Sequence, residues 1–353
     1  MDRDLAGTTA FVTGASGLLG YAIARSLARR GARVRALSRT GVLPGDLEAL
    51  GVEAVRGDLD SSDGLARGMA GARFVFHVAA DVRMYRSIWA EALRTNVEGT
   101  RNLLEVALAS RPERVVYTSS AATLGRPLDH VRGEPVTVDE SCAYGSMAER
   151  PMVYPHTKWL AEREVLRAVE AGLDAVIAHP TAIFGPGDWK ANLLPLFRAT
   201  RGAMGVAVPG GWRTVCDVRD VADAHLSAAL RGPAGERWAL GGESMSVRAL
   251  FAAIAGAAGG RAPRFELPPG PVRALGRGLE AFAALRGRAP VLSEEMALQS
   301  TLRVRVASGK AERELGYRPR SARESISDSA AWYRERGLLP HATHFREDPE
   351  GPD

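Results

Sequence analysis

The 353-residue sequence predicts an α/β protein: a doubly wound parallel sheet with a smaller, mainly helical C-terminal lobe for substrate. Three features carry that expectation. Short apolar runs alternate with amphipathic segments through the first half, the pattern of buried parallel strands joined by helices. A glycine-rich turn, TGASGLLG (13–20), stands between the first apolar run and the first helical segment. Beyond Gly185 the strand rhythm stops and helical spacing dominates.

The first strand is TAFVTG (9–14). It is apolar along most of its length, as a strand covered on both faces must be. LLGYAIARSLARRG follows with helical spacing and is closed by Gly31. ARVRALSR (32–39), VEAVRGD (52–58), ARFVFHVAA (72–80) and RVVYTSS (114–120) read as further strands. Met84 to Ser110 reads as a long helix broken near Asn96, and LDAVIAHPTAIFG (173–185) as another buried strand. GPGDWKANLLPLF and AVPGGWRTV carry the turn residues of irregular structure. DVRDVADAHLSAALRG reads as a helix started by Asp220 or a neighbour, and 246–336 as mostly helical, interrupted by PRFELPPGPV. The expected division is a sheet domain over 1–180 re-entered at about 212–242, a lobe from 181–211 and 243–336, and a loose tail at 341–353.

Composition narrows the function classes. Apolar residues make up 46% and charged residues 25%, the balance of a soluble globular protein. The formal charge is +5, but 41 acidic residues are interspersed and no block of like charge occurs, so no nucleic-acid partner is expected. Cys142 and Cys216 lack paired spacing and no histidine cluster accompanies them, which argues against a disulfide or a metal site. His77, His179 and Cys142 read as structural or peripheral. The N-terminus runs straight into a strand and no apolar run reaches membrane-spanning length, so a cytoplasmic protein is expected.

The turn at 13–20 lies where a glycine loop has chemical meaning. Gly14 permits a tight turn, Gly17 admits a pyrophosphate close to the backbone, and Gly20 lets helix and strand approach. Ser16, Leu18 and Leu19 complete the loop, and the helix start offers N–H donors to an anion. A Rossmann-type dinucleotide site is therefore expected here, in preference to a mere tight turn. An acid at the end of the second strand would bind ribose hydroxyls and repel a 2′-phosphate. The sequence there is Leu37-Ser38-Arg39-Thr40, with no carboxylate until Asp46. Ser38 and Arg39 therefore favour NADP(H), with NAD(H) the alternative. Asp58 and Leu59, after the third strand, are placed for adenine, although Asp58 would serve equally to cap the next turn.

Of the 46 basic residues only Lys158, Lys190 and Lys310 are lysine. Lys158 stands four residues after Tyr154 in a segment that reads as a helix start, so the two share a face. An ammonium near a phenol favours the phenolate and makes it a better acid–base group at neutral pH. A compact ammonium also suits the ribose hydroxyls better than a planar guanidinium does. RVVYTSSAATLG ends its strand in two hydroxyls at the sheet edge where such folds bind ligands.

TGxxGxxG, HVAAD, TNVEGTRNLLE, YTSSAATLG, YPHTK, HPTAIFGPGD, DVRDVADAHL and KAERELGYRPR occur in this order over nearly the whole chain. Together they resemble the extended short-chain dehydrogenase/reductase family, and within it most the dihydroflavonol-reductase-like and 3β-hydroxysteroid-dehydrogenase-like branch. The resemblance implies that Ser120 is the active-site serine and that Ser119 lies against the cofactor. It makes Tyr154 the proton donor or acceptor, Lys158 the group that lowers its pKa and binds ribose, and Asn96 a holder of the proton-relay geometry. Ala79 and Ala80 would pass close to the cofactor, and Pro180, Ala182 and Ile183 would border the nicotinamide. It also implies a homodimer through helices near 84–110 and 154–171. The expected activity is interconversion of a carbonyl and an alcohol on a small, hydrophobic substrate. A nucleotide-sugar epimerase or dehydratase is the competing reading, with Arg213 as a grip for a diphosphate. Against it, Ala121-Ala122 follow Ser120 where similar dehydratases place Asp-Glu. A nonenzymatic NADP-binding sensor is a third reading, weakened by the presence of both Tyr154 and Lys158.

Overall fold

Residues 5–145 and 152–340 are described by the computed structural model; the tail expected at 341–353 lies outside them. The chain opens with β1 (Thr9–Thr13), α1 (Leu18–Arg29), β2 (Arg33–Ser38), β3 (Glu53–Arg56), α2 (Ser62–Met69) and β4 (Phe74–His77). Next come α3 (Trp89–Leu93), α4 (Gly99–Ser110), β5 (Arg114–Thr118), β6 (Val136–Val138), α5 (Val153–Glu170) and β7 (Ala175–Pro180). Five of the expected strands are thus present within a few residues of their predicted bounds.

The main sheet has seven parallel strands in the order β11-β7-β5-β4-β1-β2-β3, where β11 is Arg237–Leu240. From β1 the chain winds outward to β3, then crosses back to lay β4 on the other side of β1. That reversal opens a crevice at the carboxyl ends of β1 and β4. Side chains alternate between the two faces. Ala10 and Val12 join Ile23 and Leu27 of α1 in one core, while Phe11 joins Leu103 of α4 and Val165 of α5 in the other.

Three expectations are corrected. Residues 173–185 form two strands in different sheets: β7 pairs with β5 and β11, and β8 (Ala182–Phe184) with β10 (Trp212–Asp217). Pro180 has no N–H to extend the first ladder, and the chain changes sheet at Thr181. The stretch read as irregular holds α6 (Leu194–Ala199), β9 (Ala207–Pro209) and β10. Its Gly211 marks close packing instead of a turn, since a Cβ there would lie 2.3 Å from Ser300 O. The helix from 84 starts later, at Trp89, after a 3₁₀ turn at Arg86–Ile88. The break near Asn96 is a π-helical turn, Arg94–Glu98, between α3 and α4.

β12 (Glu243–Ser246) completes a small sheet with β10 and β8, packed with the helices α8 (Val247–Ala258) and α12 (Ala322–Glu335) around a core of its own. Phe184, Phe197, Ile254, Ile326 and Tyr333 form that core. α7 (Val218–Arg231), capped by Asp217 and not by Asp220, returns the chain to β11. Asp220 instead pairs with Arg320 at 2.7 Å. Between α8 and α12 lie β13 (Phe265–Leu267), α9 (Pro269–Leu285), α10 (Glu294–Thr301), β14 (Val304–Val306) and α11 (Gly309–Leu315). β14 pairs in parallel with β6, tying the C-terminal half to the loop that follows β5.

Candidate active site

The loop after β1 is built to admit an anion. Gly14 has φ +78°, and a Cβ there would lie 2.7 Å from Ala79 N, so the turn passes against the end of β4. A Cβ on Gly20 would lie 2.2 Å from Gly14 O. At Gly17, the N-cap of α1, a Cβ would meet nothing nearer than Gly14 O at 3.4 Å, and no side chain caps the helix. The first N–H groups of α1 therefore face an open cradle with the helix field behind them, which fits a dinucleotide pyrophosphate. Thr13 Oγ1 accepts from Val78 N and Ala79 N, each at 3.2 Å, and fixes the neighbouring wall that continues into Ala80. Ser16 is exposed, Leu18 half-buried and Leu19 in the core, so Leu19 can offer the cradle only its backbone.

At the end of β2, Ser38 Oγ donates to Val42 O at 2.8 Å, and Arg39 is exposed. Lys190, from the distant GPGDWK stretch, comes close enough that burial and then Arg39 hold its pKa below the usual lysine value. Asp46 accepts from Tyr21 Oη at 2.6 Å and Arg25 Nε at 3.0 Å, so both its oxygens are engaged. Asp58 Oδ1 accepts from Asp60 N at 3.1 Å, the turn-capping alternative, and Leu59 packs against Gly99.

Across the crevice, α5 carries Tyr154 and Lys158 one turn apart on the face toward β5. Lys158 is 2% exposed; its ammonium donates to Thr118 O at 2.7 Å and lies 4.3 Å above the Tyr117 ring. Burial drops its pKa to about 7, against an opposing pull from Glu162. Ser120, at the end of β5, hydrogen-bonds the Tyr154 phenol. Burial raises the Tyr154 pKa most, the Ser120 bond works against this, and Glu295 adds to the rise. The lysine expected to acidify the phenol is not among these influences, because its ammonium is turned toward Thr118 and Tyr117. Pro180 is buried at the end of β7, and Ala182 and Ile183 are half-buried beyond it.

Asn96 is buried in the π turn with its amide fully used. Oδ1 accepts from Asp81 N at 2.7 Å, and Nδ2 donates to Asp81 O at 2.9 Å and Thr157 Oγ1 at 3.0 Å. Thr157 in turn donates to Val153 O at 2.8 Å. Asn96 thus fastens the first turn of α5 to the segment after β4. His77, buried between Thr13 (2.8 Å) and Thr100 (2.9 Å), is held near pKa 3 by burial and by Lys158. It is a neutral structural link.

Ser119 faces away from Ser120. Its hydroxyl donates to Glu162 Oε2 at 2.9 Å, leaving only its backbone to meet a cofactor. Glu162 also accepts from Thr123 Oγ1 at 3.2 Å and Arg237 Nη1 at 3.3 Å, and lies 3.0 Å from His179 Nε2. Burial works to raise its pKa, but His179, Ser119 and Arg237 together hold it at about 2. Sequence reasoning passed over Glu162, although the spacing 154, 158, 162 puts it on the same helix face. Glu295 was missed as well. From α10 it accepts Val153 N at 2.7 Å and Tyr154 N at 3.3 Å, capping α5 where Met152 has no capping side chain. No local signal marks it.

Comparison with known proteins decides the family. Residues 10–241 match the NAD-dependent epimerase/dehydratase family. The chain belongs to this family. It is an NAD(P)-dependent extended short-chain dehydrogenase/reductase. It is 34% identical over 336 residues to a putative dihydroflavonol 4-reductase of Synechocystis sp., covering 93% of this chain and 95% of that protein. It is 35% identical over 342 residues to the 4-hydroxy-2-methyl-3-oxo-4-farnesyl-3,4-dihydroquinoline-1-oxide ketoreductase of Stigmatella aurantiaca, covering 94% and 98%. The crystal structure of gox2253 superposes with a TM-score of 0.79 at 35% identity, covering 94% of this chain and 99% of that one. Among the described residues no helix is long and apolar enough to cross a membrane.

Proposed function

We propose that the protein interconverts a ketone or aldehyde and an alcohol, using NADP(H), on a hydrophobic small molecule. What supports this reading is Tyr154 and Lys158 one turn apart on α5, Ser120 hydrogen-bonded to the Tyr154 phenol, and the open glycine cradle after β1. Gly14 to Gly20 would hold the pyrophosphate, Arg39 and Lys190 the 2′-phosphate, and Lys158 the nicotinamide ribose. The bound dinucleotide supplies or accepts the hydride. Tyr154 gives its proton to the carbonyl oxygen during reduction and takes it back in the reverse direction. Ser120 donates a hydrogen bond to the same oxygen as negative charge builds on it, where a preorganised donor contributes most. Asn96 and Glu295 fix the start of α5 and so the position of the phenol. The ketoreductase and reductase names of the two relatives support a carbonyl substrate, and the farnesyl group in one of those names supports an apolar one.

The test is Tyr154→Phe. Turnover of NADPH with an accepted ketone should fall by at least about 100-fold, the size of a lost general acid. NADPH affinity, read by fluorescence titration, should stay within about twofold, because the cradle is untouched. Full activity in the variant would refute the assignment.

One observation favours nucleotide-sugar chemistry as the second reading. Burial, and then the charge of Arg126, lower the Arg213 pKa to about 10, and its guanidinium donates to Trp212 O at 2.9 Å. A half-buried cation of this kind suits a diphosphate. Conversion of a UDP-sugar without net consumption of cofactor, lost in Arg213→Ala, would favour that reading over the reductase.

A further inference from the structure

α9 leaves an apolar stripe in water. Leu275, Phe282 and Leu285 recur at helical spacing and are 53%, 53% and 87% exposed, and Val291 in the turn beyond them is 90% exposed. The opposite side of α9 is its packed face. Val272 and Ala283 are buried there, and a Cβ on Gly276 would lie 2.6 Å from Ser293 O and 2.8 Å from Ala297 Cβ. The exposed stripe is therefore not a core face left open by loose packing; it belongs to a hairpin already closed against α10 on its other side.

Charge selects what could cover it. The stretch from Pro269 to Leu292 carries Arg273, Arg277, Arg286 and Arg288 against Glu280; Arg277 is paired with Glu294 at 2.6 Å and Arg273 donates to Leu128 O at 3.2 Å, so Arg286 and Arg288 are the two that stand with the stripe. Glu280 is turned inward, accepting from Arg86 N at 2.6 Å and Glu294 N at 2.9 Å. Arg286 lies over the exposed Phe282 ring, 4.3 Å from its centroid, and Arg288 is exposed two residues on. Long arginine side chains flanking projecting leucine, phenylalanine and valine side chains are the pattern of a helix that lies in a headgroup layer. Side chains that are nearly nine-tenths exposed project into solvent, and a fluid lipid layer needs no preformed groove to receive them.

We propose that the α9 hairpin docks the protein peripherally on an anionic lipid surface, with Leu275, Phe282, Leu285 and Val291 inserted and Arg286 and Arg288 at the headgroups. The inference is independent of the reaction assigned above, and its test uses no turnover. The intact protein is sedimented with sucrose-loaded vesicles of phosphatidylcholine alone, or of phosphatidylcholine mixed three to one with phosphatidylglycerol. The anionic vesicles should pellet at least about fivefold more protein than the neutral ones, with the excess shrinking as salt rises. Phe282→Ser with Leu285→Ser should return binding to background. Arg286→Glu with Arg288→Glu should abolish the preference for anionic vesicles. All four side chains are exposed, so circular dichroism melts should match those of the wild type. Background binding by the wild type overturns the proposal, and so does wild-type binding by both double variants. Light scattering supplies the remaining outcome: if Phe282→Ser with Leu285→Ser splits a dimer and no vesicle binding occurs, the stripe joins two copies of this chain and the lipid proposal fails.

Discussion

Lys158 is an ammonium almost without water, 2% exposed, and the fold keeps it at a cost. Burial pulls its pKa from the ordinary lysine value of about 10.5 down to about 7. The sign of the linkage follows from that direction. Between pH 7 and 10.5 the unfolded chain holds a proton at Lys158 that the folded chain does not, so the Lys158 contribution to stability rises with pH across this window and is constant below it. Lys158→Met replaces the cation with an apolar chain of similar volume and removes this dependence. The variant should be more stable than wild type at and below pH 7, with an advantage that shrinks as pH climbs toward 10; urea unfolding at several pH values reads it. Turnover should be lost, since the ribose contact proposed for Lys158 goes with the ammonium. A variant less stable than wild type at every pH would mean that the bond to Thr118 O outweighs the burial of the charge.

A helix that carries its proposed acid–base group in the first turn places that group only as well as the turn itself is held. α5 starts without a cap of its own, and two distant residues supply the hold: Asn96 through Thr157, and Glu295 through the N–H groups of Val153 and Tyr154. Burial lifts the Glu295 carboxyl from the ordinary 4.5 to about 7; the two N–H bonds and Arg126 oppose the rise and Glu280 adds to it. A carboxyl whose folded pKa is raised stabilises the fold while protonated. That contribution is complete below about 4.5 and lost as pH rises through 7. Glu295→Gln resembles the neutral acid at all pH values, so its stability relative to wild type should improve as pH rises from about 4.5 to 7 and level off above that. Because the Glu295 charge also raises the Tyr154 pKa, the alkaline limb of the kcat profile should move to lower pH in the variant. Coincident pH profiles would show that Glu295 is only a structural cap. Asn96→Ala should act differently, leaving Asp81 N and Thr157 without their partner at a cost of about 1–3 kcal/mol, measurable by urea unfolding.

At the scale of the whole molecule, what was legible is what repeats locally. Strands covered on both faces write themselves as apolar runs, and Gly14 and Gly20 mark a turn whose close contacts only glycine permits. The change of sheet at Thr181 was hidden because apolar residues continue on both sides of it. Gly211 was misread as a turn residue because close packing and tight turning ask for the same side chain, whereas Gly210 does lie in the bend between β9 and β10. Glu295 and Lys190 were invisible for a third reason: each acts on a partner more than a hundred residues away, and no spacing rule reaches that far. Lys190 changes the cofactor argument most. Arg39 alone was an ordinary arginine in an arginine-rich chain, whereas Arg39 with Lys190 beside it, and Asp46 held by Tyr21 and Arg25, is a cationic corner with its nearest acid occupied. Two cations there would suit a 2′-phosphate better than a ribose hydroxyl. Arg39→Asp should therefore lower the NADPH-to-NADH ratio of kcat/KM by about 100-fold, and Lys190→Ala by about tenfold, through the KM for NADPH. Raising salt should weaken NADPH more than NADH in the wild type and should not discriminate in Arg39→Asp. If neither substitution moves the ratio, the corner is solvent-facing surface and NAD(H) is the cofactor.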